Sequence, residues 1–353
     1  MKSHKNLYPL LCSYENLELA FRKARKRKTA KDYVIEFEMD LENNLKKLQH
    51  ELETFTYSPA PQTIFIIRDP KTRKISASHF RDRVVHHAIC NIIEPILEKS
   101  FIHDSFASRK GKGVHSAILR FEKFLRKMAG NGKRGTGNGY ALKADIKHYF
   151  DAVDHRILLG ILRRRIRDRN VLWLISVILK NHKTKVPGKG MPLGNLTSQF
   201  FANVYLNEFD HFVKHGLKAK YYIRYVDDFV ILHRDREMLE QWQKQISSFL
   251  REWLELELHP EKSRVIPVGS GVGLLGFRVF CHYRLLKKSN ARRIWKRIEK
   301  FRQEYAHGWT TKEEISQSME GWFAYAKFAS TYNLRKKVSA KLNELFGDVA
   351  PKP

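Results

Sequence analysis

The sequence predicts an α+β fold, in which an antiparallel sheet is backed by helices and followed by a separate helical subdomain. Three observations point there. Two short β-rich runs, residues 221–226 and 229–233, flank Asp227-Asp228, the signature of a hairpin with two acids at its tip. Helical periodicity surrounds it. After Asp154, Ile157, Leu158, Ile161, Leu162 and Ile166 share one face, and Arg163, Arg164 and Arg167 fall mostly off it. From residue 285 the character changes. Ile294, Ile298 and Phe301 form an apolar stripe, while Arg293, Lys296, Arg297 and Lys300 repeat at helical spacing on other faces.

Residues 14–55 read as helical, with a basic cluster over 22–28. Residues 63–67 make a short apolar strand, Asp69-Pro70-Lys71-Thr72 signals a turn, and Arg73-Lys74-Ile75 resumes an extended run. Residues 80–99 are expected to be helical. Residues 132–139 carry four glycines and read as a loop, and 141–147 then read as a strand. Asp154 suits the N-cap of a helix reaching about residue 168. A Gly/Pro-rich loop over 186–194 precedes a helix over 195–213, and another helix covers 237–254.

The chain has 353 residues, enough for two packed subdomains or one large mixed core with an appendage. Its 42% apolar content excludes a disordered chain. A formal net charge of +29, from 66 Lys+Arg against 37 Asp+Glu, calls for a polyanionic partner. Nucleic acid comes first, with an anionic membrane surface or a ribosomal-type role as alternatives. Cys12, Cys90 and Cys281 are widely separated and form no CxxC pair or zinc set, which fits a reduced, cytoplasmic setting. The apolar stretch over 171–179 is too short to span a bilayer, and the N-terminus lacks a signal-peptide hydrophobic region, so no membrane association is expected.

Tyr225-Val226-Asp227-Asp228 is the strongest local signal. Adjacent carboxylates between apolar strands repel one another unless neutralised, and a divalent metal does this well. Taken alone, the tetrapeptide fits an ordinary solvated turn equally well. Asp145, inside the strand expected over 141–147, is by itself more often a cap or an ion-pair partner. Together the three acids are what two Mg²⁺ ions need, held about 3.5–4 Å apart, for phosphoryl transfer.

Further motifs then make the chain resemble the reverse-transcriptase family across nearly its whole length. Asp145 and Phe150 match the family's first catalytic strand and its steric-gate aromatic. Gly190-Met191-Pro192-Leu193-Gly194-Asn195-Leu196-Thr197-Ser198-Gln199 matches the loop and helix lining the templating pocket. Tyr225 to Asp228 matches the catalytic hairpin, His259-Pro260-Glu261-Lys262-Ser263 the lysine-bearing motif, and Leu274-Leu275-Gly276-Phe277 the primer-grip turn. Phe106-Ala107-Ser108-Arg109-Lys110-Gly111-Lys112-Gly113-Val114-His115 resembles a segment shared with group II intron and other bacterial enzymes.

The resemblance implies a right-hand polymerase, with fingers and palm over 1–283 and a helical thumb over 284–353. It implies that Asp145, Asp227, Asp228 and the Ile146 carbonyl hold two Mg²⁺ ions, and that Lys262 donates a proton to pyrophosphate. Arg68 and Arg73 would bind the dNTP triphosphate. Phe150, Leu193, Gly194, Ser198 and Gln199 would line the nucleotide site, and Arg109, Lys112, Arg292, Arg293, Lys296, Arg297 and Lys300 would hold template RNA and the cDNA or primer. Leu193-Gly194 and Ser198-Gln199 stand where intron enzymes usually carry Gln-Gly and Ser-Pro. This is similar to reverse transcriptases of diversity-generating retroelements, which copy a template-repeat RNA with errors opposite adenine to diversify a target gene. That family works with a small basic accessory variability protein, a pentamer. No RNase H, integrase or homing-endonuclease domain is expected. Retron, intron or phage-defence enzymes share the chemistry. An RNA-dependent RNA polymerase is disfavoured by the bulk of Phe150, and an idle RNA-binding protein by the three intact acids.

Overall fold

A computed structural model describes residues 3–68, 72–129, 139–184 and 186–351. The turn expected at Asp69, Pro70 and Lys71, and the glycine-rich loop over 132–139 apart from Gly139, lie outside the described residues.

Four helices open the chain: α1 (Tyr8–Cys12), α2 (Tyr14–Arg25), α3 (Asp32–Met39) and α4 (Leu41–Glu53). The helical expectation over 14–55 therefore holds with breaks at Lys26 and Asp40, where the backbone leaves helical geometry. A two-stranded antiparallel ribbon follows, β1 (Thr63–Ile67) and β2 (Arg73–Ala77), and then the long helix α5 (Phe80–Leu97). Next come α6 (Val114–Ala129), β3 (Tyr140–Asp145), α7 (Tyr149–Ala152), α8 (His155–Arg163), α9 (Arg169–Lys180) and α10 (Leu196–His211). The hairpin β4 (Tyr221–Tyr225) and β5 (Asp228–His233) leads to α11 (Arg236–Leu254). Short strands β6 (Arg264–Pro267), β7 (Val272–Leu274), β8 (Phe277–Val279) and β9 (Arg284–Leu286) precede α12 (Lys288–Ala306), α13 (Lys312–Lys327) and α14 (Tyr332–Phe346). One sheet orders its strands β4-β5-β3-β6 and another β7-β8-β9. The fold is α+β.

The chain divides into two compact units built from discontinuous segments. The first comprises Met1–Lys110, Ala144–Phe229 and Gln241–Ser263, and the second Gly111–Lys143, Val230–Glu240 and Arg264–Pro353.

In the first unit α2 packs along α5, and the Asn16 amide donates to the carbonyls of Leu11 (2.8 Å) and Ala88 (3.2 Å). Helix α8 starts where expected, because the Asp154 carboxylate accepts from the N–H groups of Arg156 (2.8 Å) and Ile157 (3.1 Å). Helix α9 was legible only as an apolar stretch. Its start is fixed by Asp168, whose Oδ1 accepts from Asn170 N–H (3.0 Å) and Val171 N–H (3.3 Å). The other oxygen of Asp168 accepts from Leu7 N–H (2.7 Å) and Tyr8 N–H (2.9 Å), tying the N-terminus down. The apolar strand β1 forms, yet all five of its residues are exposed.

In the second unit Leu275 (φ 47°) and Gly276 (φ 92°) make the left-handed pair of a two-residue hairpin between β7 and β8. Tyr325 donates to the Gly276 carbonyl (3.3 Å), and a Cβ at Gly276 would lie 2.6 Å from that hydroxyl. Ile294, Ile298, Ile315, Met319, Phe323 and Val338 belong to the core of the three C-terminal helices. A capping box, Thr311 with Glu314, starts α13.

Replacing Asp168 with Ala removes a helix cap and the N-terminal tether together. It is expected to cost about 2–4 kcal/mol, read as a fall in the urea midpoint with unchanged slope. An unchanged midpoint would show that the N-terminal segment is not held through this carboxylate.

Candidate active site

The site lies in the first unit, where the end of β3 meets the tip of the β4–β5 hairpin. Val226 takes a left-handed backbone (φ 56°), turning the chain sharply before Asp227. The Ile146 N–H donates to the Asp227 carbonyl (3.2 Å), so the Asp145 strand end and the acid-bearing tip are joined by their backbones. From the other side His259 N–H donates to the Asp145 carbonyl (2.8 Å), and Lys147 N–H to the Glu257 carbonyl (2.8 Å). These bonds pin the segment carrying Lys262 next to Asp145, and the Lys262 ammonium lies 3.0 Å from Asp145 Oδ1.

The tip is held from behind by Arg224, a lone charge in an otherwise apolar and aromatic strand. Its side chain is 1% exposed and donates to both carboxylate oxygens of Asp210, at 2.7 and 2.5 Å. The same guanidinium reaches the Val226 carbonyl (3.0 Å), Asn203 Oδ1 (3.3 Å) and Ser105 Oγ (3.2 Å). Burial acts to strip its proton, but the adjoining Asp210 outweighs this and holds it charged. Tyr222 completes the cluster by donating to Asp210 (2.6 Å). The available sequence signal was a lone charge, Arg224, between Ile223 and Tyr225.

Burial pushes the Asp227 carboxyl up to about 6, with the Asp145 and Asp228 charges adding to the effect and Lys262 opposing it. Among the described residues no group of three or more His, Cys, Asp or Glu is spaced so that it could hold a metal ion. The Lys262 ammonium on Asp145 and the raised affinity of Asp227 for a proton relieve part of the acids' repulsion. In donor chemistry, carboxylate oxygens are what a hard divalent ion such as Mg²⁺ takes.

Around this centre, the half-buried Phe150 stands edge-on to Tyr149, 5.6 Å between ring centres, and its carbonyl accepts from Met191 N–H (2.7 Å). The Leu193 carbonyl accepts from Ser76 N–H of β2 (3.1 Å). Gly194 has φ 114°, and a Cβ there would meet Ile75 Cγ2 at 2.9 Å, so this turn docks against the ribbon and has no room for a side chain. Ser198 is buried, whereas Gln199 is exposed and accepts from Ser108 (3.3 Å). Arg68 and Arg73 are exposed at the ends of the ribbon strands.

Arg109 is committed to protein partners, donating to Glu98 (2.9 Å) and to the carbonyls of Ile102 (2.7 Å) and Ser105 (2.9 Å). In the second unit Lys112 is half-buried, and Arg292, Arg293, Lys296, Arg297 and Lys300 are exposed. Arg297 donates to Ser318, and Lys300 pairs with Glu304 at 3.2 Å.

Removing one partner of the buried pair should be severe. Asp210→Ala leaves a buried guanidinium without its counter-charge and is expected to cost about 3–5 kcal/mol of stability, measured by urea unfolding, whereas the double change Asp210→Ala with Arg224→Met should recover much of it.

Asp227 gives a pH-dependent expectation. Below its ordinary value of 3.8 both folded and unfolded chains hold the proton. Between 3.8 and about 6 the unfolded chain loses it first, so stability falls, and above 6 the loss is complete. In metal-free buffer Asp227→Asn should therefore be roughly 1–3 kcal/mol more stable than the parent at neutral pH, with the gap closing below about pH 4. A gap independent of pH would remove burial of this carboxyl as its cause.

Comparison with known proteins agrees with this arrangement. Residues 67–279 match the family model for reverse transcriptase (RNA-dependent DNA polymerase). Protein YkfC of Escherichia coli K12 is 28% identical over 274 residues, covering 67% of this chain and 71% of that protein. The group II intron-encoded protein LtrA of Lactococcus lactis is 26% identical over 311 residues, covering 67% of this chain and 50% of LtrA, so the chain spans half that relative's length. Apo telomerase from Candida tropicalis superposes with a TM-score of 0.50 at 14% identity, over 86% of this chain and 68% of that one, which concerns the fold alone. The family match covers the hairpin, the Asp145 strand and the lysine-bearing segment together, and the chain belongs to the reverse transcriptase family.

Proposed function

We propose that this chain is an RNA-directed DNA polymerase working at the Asp145, Asp227 and Asp228 centre. The observation that carries the reading is the backbone bond from Ile146 to Asp227, which joins two acid-bearing segments far apart in sequence. The three carboxylates, with the Ile146 carbonyl, would hold two Mg²⁺ ions. Bound there, the ions would favour ionisation of the primer 3′-hydroxyl and offset charge on the departing pyrophosphate. The residues of the chain itself position and neutralise. Lys262, displaced from Asp145, donates a proton to the pyrophosphate. The exposed Arg68 and Arg73 grip the dNTP triphosphate. Phe150 blocks a ribose 2′-hydroxyl, and Leu193, Gly194, Ser198 and Gln199 shape the nucleotide pocket. Fingers and palm run over 1–283 and the thumb over 284–353, where Arg292, Arg293, Lys296, Arg297 and Lys300 face template RNA and cDNA.

Narrower still, we infer copying of a template-repeat RNA with errors opposite adenine, in the manner of diversity-generating retroelements. Leu193 supports this, because it can neither donate nor accept the side-chain hydrogen bonds of a Gln. A basic pentameric accessory protein would meet a chain of net charge +29, so RNA is the natural mediator between them. The second reading, an intron-type enzyme, is favoured by the similarity to LtrA, and both readings fit a cytoplasmic setting. No helix among the described residues is long and apolar enough to cross a membrane.

Primer extension on an adenine-containing RNA with Mg²⁺ tests both levels. The parent should extend, and Asp227→Asn should lose extension by a factor on the order of 10³ or more. Leu193→Gln should lower errors opposite adenine. Extension by the parent with few such errors favours the intron-type reading, and no extension removes the polymerase assignment.

A further inference from the structure

Helix α14 begins without a side-chain cap. Its N-cap residue, Thr331, turns its hydroxyl elsewhere, donating to the carbonyls of Ala326 (2.6 Å) and Ala329 (3.3 Å). The first turn therefore presents N–H groups and the positive end of the helix dipole. Uncapped helix starts are common and identify no ligand. The second observation is Arg335, one turn further on. It is only 9% exposed, and its Nε is buried without a hydrogen-bond partner. Among the described residues its guanidinium meets the ring of Tyr332, at 6.0 Å, and no carboxylate pairs with it. A buried cation without a counter-charge is costly, so this position calls for an anion.

The helix start and Arg335 line one cavity of about 480 Å³, within the second compact unit. Its wall includes Leu285, Leu286, Ala291, Ser330 and Asn333. The volume exceeds the needs of a lone ion, since a water molecule occupies roughly 30 Å³. Tyr332, also in the lining, is 59% exposed and offers a ring face. Ala291 is followed directly by Arg292 and Arg293, both exposed, so a polyanion seated here would continue onto the charged face of α12.

We propose that the N-terminus of α14 and Arg335 form a phosphate site that takes a backbone phosphodiester of a bound nucleic-acid strand, with the neighbouring nucleotide against Tyr332. The two donor types are complementary. Backbone N–H groups meet one side of the phosphate and a guanidinium the other, a charge-assisted pairing of the kind nucleic-acid backbones select. The nucleic-acid source rests on the polymerase reading, whereas the anion site itself does not.

The full chain carries the test. In the first arm, thermal midpoints are compared in inorganic phosphate and in chloride at equal ionic strength. The parent should be stabilised specifically by phosphate. Arg335→Met should be at least as stable as the parent in chloride and lose the phosphate increment. Should Arg335→Met fail to fold, Asn333→Asp replaces it, since its built-in carboxylate should raise the midpoint in chloride and cancel the increment. No phosphate-specific stabilisation of the parent overturns the site. In the second arm, affinity for a short RNA–DNA duplex is measured at fixed salt. Arg335→Met should weaken it about tenfold, as expected for losing a charge-assisted bond. A phosphate response with unchanged duplex affinity overturns the nucleic-acid source and leaves free phosphate or a mononucleotide as the ligand. Primer extension, run in parallel, separates these outcomes from the fate of the polymerase reading.

Discussion

The buried pairing of Arg224 with Asp210 is the constraint on which the candidate active site depends. Two acids at the tip of a tight turn do not by themselves fix where the turn points. Here one guanidinium reaches the turn carbonyl at Val226, Asp210 and Asn203 of α10, and Ser105 on a separate segment. A charge so fully withdrawn from water tolerates few alternative geometries, because each lost hydrogen bond leaves a desolvated donor. The rigidity passes forward. With Val226 anchored, Asp227 presents its carbonyl to Ile146, and the strand end bearing Asp145 is held in register. Arg224 acts on the acids through the Val226 carbonyl at the turn.

The acids also sit in an unusual electrostatic setting. The chain as a whole is strongly positive, but the centre concentrates negative charge in a partly buried tip. Two local devices hold this in check. Lys262 contributes a mobile ammonium on a long stem, and Asp227 is drawn toward its protonated form. Both are reversible, since an exposed ion pair and a titrating carboxyl each respond to their surroundings. The surrounding basic residues divide by role. Arg109 and Arg224 are fixed by protein oxygen atoms, whereas the arginines at the ribbon ends and along α12 stand exposed.

What could be read from the sequence was local. The hairpin with its acids, the strand carrying Asp145 (expected to run to Lys147, though it ends at Asp145), the cap at Asp154 and the apolar stripe of α12 each follow from residues within a few positions of one another. What could not be read depended on distant partners. Asp210 and Arg224 come from a helix and a strand separated by a loop, and nothing in either segment announces the other. Arg109 belongs to a motif whose resemblance implies a nucleic-acid contact, and no local pattern announces that it also bonds Glu98 and the carbonyls of Ile102 and Ser105. Ser198 and Gln199 are neighbours in sequence, yet one is buried and the other exposed, a distinction set by what packs on α10. Helix α9 is hard to see because its apolar run has no polar face of helical period, and its start is set by the Asp168 cap. The two compact units interleave three chain segments each, a topology that no linear change of composition reveals.

The ribbon of β1 and β2 breaks the habit by which a run such as Thr-Ile-Phe-Ile-Ile ends up inside a protein, since the strand is exposed along its whole length. Two strands cannot shield each other on both sides, and a greasy ladder open to water invites pairing with a second copy. Arg73 and Lys74 on the partnering strand, with Arg68 just beyond β1, act as gatekeepers, because a second ribbon laid alongside would bring like charges together. That protection is electrostatic and therefore fades as ionic strength rises. The colloidal behaviour of the free chain is thus governed at this ribbon by three exposed cations, Arg68, Arg73 and Lys74.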